Sequence, residues 1–303
     1  MTGAWRGAIL LALMPCAASA APAADAALAA RFDAIVLPYA VDNRLSGAIL
    51  VARGNAVLFD KAYGMADIAA GLPNRPSTRF HVGTLSMHYT AVAIWHLVET
   101  HHLALDNTAD QFVPGAPHAT VADLLAGAPD APPAAARYQM LARVAQAAMA
   151  DSFADIEDTA AFDSVWMSGT GLDDGAPTRE SRMAMGYALA GGSLKPVSAD
   201  WAALTGAASA YTTTRDELHF LDRFFGDALV SPDARKAMTA DGQGWRHGTP
   251  FGADAWWAAG TAPGFSSFVL RRTGDGLTVI VLENLDGAPA QALAGELIAA
   301  LDR

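Results

Sequence analysis

The chain has 303 residues, 52% of them apolar, which is enough for a sizeable core and too hydrophobic for a disordered chain. Lys and Arg number 20 against 31 Asp and Glu, a formal charge of −11, and no basic run of five residues occurs. Phosphate recognition needs clustered cations, so nucleic-acid binding is set aside.

The N-terminus reads as a leader for export. Arg6 is the only charge in the first twenty residues, Gly7 to Met14 form a short apolar stretch, and Ala18-Ser19-Ala20 supply small residues for cleavage. About eight apolar residues cannot cross a bilayer that needs roughly 20, so a membrane anchor is disfavoured. Cutting after Ala20 removes Arg6, taking the formal charge from −11 to −12, and removes Cys16, the only cysteine. The expected mature chain, 21–303, then has no disulfide, thiol nucleophile or cysteine-based metal site, and is periplasmic or secreted.

Asp25 to Ala40 is an alanine-rich helix candidate, with Leu28, Phe32, Ile35 and Val36 near helical spacing. Ala48 to Arg53 and Ala56 to Lys61 read as strands joined by Gly54-Asn55, a hairpin signal. Thr84 to Leu103 reads as a long, mostly apolar helix, and Pro and Gly punctuate Pro114 to Pro133. Tyr138 to Ala150 and Glu217 to Phe225 are further helices. Ser266 to Arg272 and Leu277 to Glu283 form a second hairpin around Thr273 to Gly276, and Pro289 to Leu301 closes the chain as a helix. Strands at both ends with helices between predict an α/β (α+β) architecture: one antiparallel sheet from both chain ends, with an inserted helical subdomain. The expected sheet part is about 25–80 and 240–303, and the helical part about 84–240.

Ser46 to Gly54, Ala56 to Asp67, Arg79 to Ile94, Thr120 to Leu125 and Ala262 to Ser267 together resemble segments of the β-lactamase-related family of class C β-lactamases, DD-peptidases and serine esterases. Ser46 to Gly54 and Ala56 to Asp67 are similar to its opening hairpin, and Arg79 to Ile94 to the segment carrying its nucleophile helix. Leu103 to Asp106, Thr120 to Leu125, Leu204 to Asp216 and Ala262 to Ser267 follow in the family's order, with one contraction near 126–133. The resemblance implies the β-lactamase/transpeptidase fold and three catalytic motifs. A serine opens a buried helix with a lysine three residues on, on the same face, because a hydroxyl attacks poorly until a neighbour takes its proton. A Tyr-x-Asn element and a Lys- or His-x-Gly strand complete the pocket.

Carried over by position, the first motif falls on Thr84-Leu-Ser-Met87, with threonine for serine and methionine for lysine. A thioether neither accepts a proton usefully nor carries charge. The second falls on Pro133-Ala-Ala135, or, in an alternative placement, on Tyr138-Gln-Met140, which restores the tyrosine and not the asparagine. The third falls on Ala258-Ala-Gly260, where only the glycine remains. The resemblance therefore implies an exported binding or scaffold protein that has lost its catalytic groups, with a peptide, a cell-wall fragment or a protein as partner and no cofactor. The alternative is a divergent esterase, β-lactamase or peptidase acting through Thr84.

Read for structure, Thr84 is expected to cap its helix through its hydroxyl, and Arg215 with Asp216 to cap the helix that follows. Ser86 and His88, two apart on a helix, face different ways and make no dyad. His101-His102 fits no metal-ligand spacing. Tyr138, Trp256 and Trp257 are cleft candidates, though the two tryptophans also suit strand packing.

Overall fold

A computed structural model describes residues 21–54, 56–127, 132–175, 182–240 and 244–302; the expected leader and the tip of the first hairpin lie outside these residues. Helix α1 (Ala21–Val41) leads into strands β1 (Gly47–Arg53) and β2 (Ala56–Tyr63), then the short strands β3 (Met65–Asp67), β4 (Leu72–Pro73) and β5 (Phe80–His81). Helices α2 (Ser86–Glu99), α3 (Val121–Ala126), α4 (Ala134–Met149) and α5 (Phe153–Glu157) follow. Strands β6 (Gly171–Leu172), β7 (Gly186–Ala190), β8 (Ser193–Val197) and β9 (Ala210–Thr212) precede helices α6 (Thr214–Phe225) and α7 (Pro232–Ala240). Strands β10 (Arg246–Gly248), β11 (Ala255–Ala262), β12 (Phe265–Arg272) and β13 (Leu277–Glu283) lead to helix α8 (Ala290–Leu301).

The main sheet runs β10-β11-β12-β13-β1-β2, antiparallel throughout, so the two chain ends meet where β13 pairs with β1. Those two strands are central and covered on both faces. This explains why β13 is buried at every position and why its sequence is a continuous apolar run rather than an alternation. Period two still sorts the side chains. Ile49, Val51, Phe268, Leu270, Val279 and Val281 meet α1 and α8, whereas Leu50, Ala52, Val269, Ile280 and Leu282 face the helices inserted between. Asp33 of α1 pins that helix to β2 through Lys61 and, at 2.6 Å, the Tyr63 hydroxyl.

Helix α2 is buried from Ser86 to Ile94, as its apolar sequence predicts. It stops at Glu99 rather than Leu103, because Thr100 closes onto the His96 carbonyl and His101 turns left-handed at φ 61°. The sequence reading overlooked the short helices α3 and α5. Helix α3 is set by a capping box in which Thr120 and Asp123 satisfy each other's backbone N–H. No helix among the described residues is long and apolar enough to cross a membrane.

Candidate functional site

The approach to Thr84 is built by close backbone packing. Strand β5 pairs with β9, and the Val82 N–H continues the ladder to the Ala210 carbonyl at 3.0 Å. Gly83 then turns with φ +60°, where an added Cβ would lie 2.3 Å from the Thr261 carbonyl carbon, so only glycine lets β11 come this near. Gly260 has a matching reason to be glycine. A Cβ there would sit 2.1 Å from the Val82 oxygen and 2.8 Å from the Leu85 nitrogen. One 3₁₀ turn, Gly83–Leu85, carries the chain into α2.

Thr84 does not cap. Neither the 3₁₀ turn nor α2 has a side-chain cap; the Thr84 hydroxyl instead accepts the Thr261 N–H of β11 at 3.3 Å. The reason is geometric: the turn directs this side chain across to β11 rather than along its own helix. Ser86 is fully engaged, donating to the Gly83 carbonyl at 2.7 Å and accepting the Ala210 N–H at 3.1 Å. His88 points elsewhere, stacked on Trp245 with ring centres 4.1 Å apart, and burial pushes its pKa down to about 4, leaving it neutral.

The motif positions are brought together only in part. Met87, 6% exposed, and Ala258, 2% exposed, enter the same apolar core, and half-buried Ala135 packs against it. Pro133 is exposed where α4 begins. Tyr138 is fully buried with its hydroxyl lacking a hydrogen-bond partner among the described residues, and burial raises its pKa. The two tryptophans, adjacent on β11, face opposite ways. Trp256 stacks on His247 at 4.1 Å and packs against the helical-side core, whereas Trp257 joins the α1/α8 side, where no cleft with Ala258 is shared. The expected cap at Arg215 and Asp216 falls instead on Thr213, whose hydroxyl accepts the Asp216 N–H at 3.1 Å.

Two polar groupings escaped the sequence reading. His81 contacts Asp173 at 3.1 Å and lies flat on Trp201, ring centres 3.6 Å apart; burial lowers the imidazole pKa against the opposing pull of Asp173. Under α2, two fully buried acids hold neighbouring hydroxyls. Tyr89 bonds Glu217, and Thr90 lies 2.8 Å from Glu157 and 2.9 Å from the Gly206 carbonyl. Thr90 has one proton for two acceptors, so if it donates to Gly206, Glu157 must be protonated to donate in turn. Burial agrees, raising Glu157 to about 8 and Glu217 to about 7. No signal in the sequence joins these residues, which lie far apart along the chain. Among the described residues no group of three or more His, Cys, Asp and Glu could hold a metal ion.

Comparison with known proteins supplies the lineage. The Beta-lactamase family profile matches residues 32–303. Esterase EstB of Burkholderia gladioli is 40% identical over 90 residues, 29% of this chain, and penicillin-binding protein 4* of Bacillus subtilis (strain 168) is 29% identical over 93 residues, again 29% of this chain. These stretches span only 23% and 21% of the two relatives' own lengths. A penicillin-binding protein from Bacillus halodurans superposes with a TM-score of 0.74 at 20% identity, over 89% of this chain and 99% of its own, a likeness of fold. The chain belongs to the Beta-lactamase family.

Proposed function

We propose that this chain is an exported member of the family that no longer performs acyl transfer and instead serves as a binding or scaffold protein for a peptide, a cell-wall fragment or a protein. The observation that carries this reading is the surroundings of Thr84. The one hydrogen bond of its hydroxyl among the described residues comes from a backbone N–H, which leaves the hydroxyl proton with no side chain to take it. One turn along the helix, Met87 offers a buried thioether. The positions that the resemblance assigns to the other two motifs, Pro133, Ala135 and Ala258, carry no proton-transfer group.

A second reading has one observation in its favour. The Thr261 N–H aimed at half-buried Thr84 is the kind of donor that polarises a carbonyl, so a slow hydrolase working through Thr84 is the alternative. One mass spectrum addresses both function and export. Protein recovered from the exported fraction should begin at Ala21 and keep an unchanged mass after treatment with a penicillin or a fluorophosphonate. A stoichiometric adduct on Thr84 at neutral pH would overturn the non-catalytic reading, and retention of residues 1–20 would overturn export.

A further inference from the structure

A cleft of about 670 Å³ lies at the β2 edge of the main sheet, and its lining is unlike the rest of this acidic molecule. It gathers Arg75, Arg79, Arg182 and Arg215, four of the chain's 20 basic residues, against Asp60 and Asp216. Arginines outnumber acids among the described lining residues, in a chain whose formal charge is −11.

Both acids are already engaged. Asp60 pairs with Arg215 at 2.6 Å, and Asp216 accepts the Gly169 N–H at 2.6 Å and the Thr170 hydroxyl at 3.0 Å. Asp60 keeps one buried oxygen without a donor, so the Arg215 end of the cleft is the less suited to an anion. The other end differs. Arg75 and Arg182 are exposed and form no ion pair with a described residue, and Ser77 beside them is exposed too. The backbone fixes this arrangement: the Arg79 N–H donates to the Arg182 carbonyl at 2.9 Å, and Arg79 itself donates to the Ser168 carbonyl at 3.2 Å. A second hollow of about 250 Å³, lined by Thr78 and Met183, shares Arg75, Ser77 and Arg182, so these three side chains stand between two concavities. Converging guanidinium groups repel one another, and an anion between them removes that cost while its oxygens accept their forked N–H pairs.

We propose that this cleft binds a small oxyanion ligand carrying at least two negative charges, as phosphate or carboxylate groups, held by Arg75 and Arg182 with Ser77 beside them. Its volume falls in the ordinary range for small-molecule sites. Its lining includes neither Thr84 nor Thr261, the β11 residue that Thr84 bonds.

Titration calorimetry of the mature chain with pyrophosphate and with citrate, at about 50 mM salt where charge pairing is weakly screened, tests the site. One-to-one binding of at least one anion is expected, and the two arms separate phosphate from carboxylate preference. Arg75→Ala with Arg182→Ala should weaken it by about tenfold or more, since charge-assisted pairs are lost. Arg143→Ala, in a different hollow between α4 and Ala202–Ala203, should leave it unchanged. Both substituted arginines are exposed, so the melting curve should stay in place; if the double variant unfolds, Arg75→Ala alone should still weaken binding. Absence of binding to both anions at millimolar concentration, or equal affinity in the arginine variants and the wild type, overturns the proposal.

Discussion

The two faces of the main sheet are packed on different principles. Against α1 and α8 the core is mainly apolar, with Phe32, Phe59, Phe268, Leu293 and Leu297 among its members, and by the alternation of β13 it also takes the fully buried Glu283. The apolar part of this face is stabilised by area removed from water and by close packing, neither of which depends on protonation, while burial raises the Glu283 pKa and favours its neutral form. The opposite face is larger and mixes apolar residues with buried polar ones: Tyr89 and Thr90 on α2 reach Glu217 and Glu157, and Ser86 binds two backbone groups. Polar groups there survive where they tie helices together. They are missing at Met87 and Ala258, where the family resemblance expects a lysine and a second basic residue. The difference teaches that burial of polar side chains on the helical side serves architecture, whatever the cleft once did.

Removing packing on the apolar face should have the largest effect. Phe268→Ala empties a fully buried site beside Phe251 and should cost about 3–5 kcal/mol, by the same amount at pH 5 and pH 8. A pH-dependent loss in urea titrations would mean that packing at Phe268 is coupled to the buried Glu283, two residues along β13 from its partner Val281.

Next comes a charge placed in the helical-side core. Met87→Lys should destabilise by about 1–3 kcal/mol, the range for an unsatisfied buried polar group. Burial favours the neutral amine and lowers the folded pKa below the ordinary value of about 10.4, so the penalty should shrink as pH rises from 6 towards 9. Equal stability at both values would reveal a hydrated cleft and favour a retained binding site.

The third effect reads the helical side through a titration. The Glu157 carboxyl is raised from 4.5 to about 8, so the folded state holds a proton that the unfolded chain gives up. Its share of stability is present below pH 4.5 and is lost as pH climbs to about 8. Glu157→Gln keeps the shape and a donor for Thr90 without the titration. The variant should match wild type near pH 5 and exceed it by about 3 kcal/mol near pH 8. A wild type that does not fall behind across this window contradicts the protonated assignment.

Sequence patterns reached the sheet better than they reached the site. The two hairpins at the chain ends were legible because β-branched runs flanked turn residues, and α8 because Pro289 marked its start. Strand β11 was harder to see, since alanine dominates Ala258-Ala259 and carries little β-preference. Thr84 read as a cap because local sequence suggests local hydrogen bonds, whereas its partner, Thr261, arrives from the far end of the chain. The arginine cleft follows the same rule. Arg75 and Arg182 stand far apart in sequence, and backbone bonds of Arg79 to Arg182 and Ala184 bring the two segments to one wall.

The pairing of β1 with β13 also sets a timetable for folding. Gly47 lies opposite Glu283, so the centre of the sheet closes only after the chain has been made as far as Glu283. A chain grows by roughly 5–20 residues per second, so the hairpin of β1 and β2 waits for many seconds with an apolar edge bare. An edge rich in Ile49, Leu50 and Val51 invites pairing with other chains during that interval. High contact order also slows the closing step once β13 arrives, because the loop entropy is lost before the ladder repays it. A holding factor that keeps the chain unpaired until its last strands are made would serve this topology well.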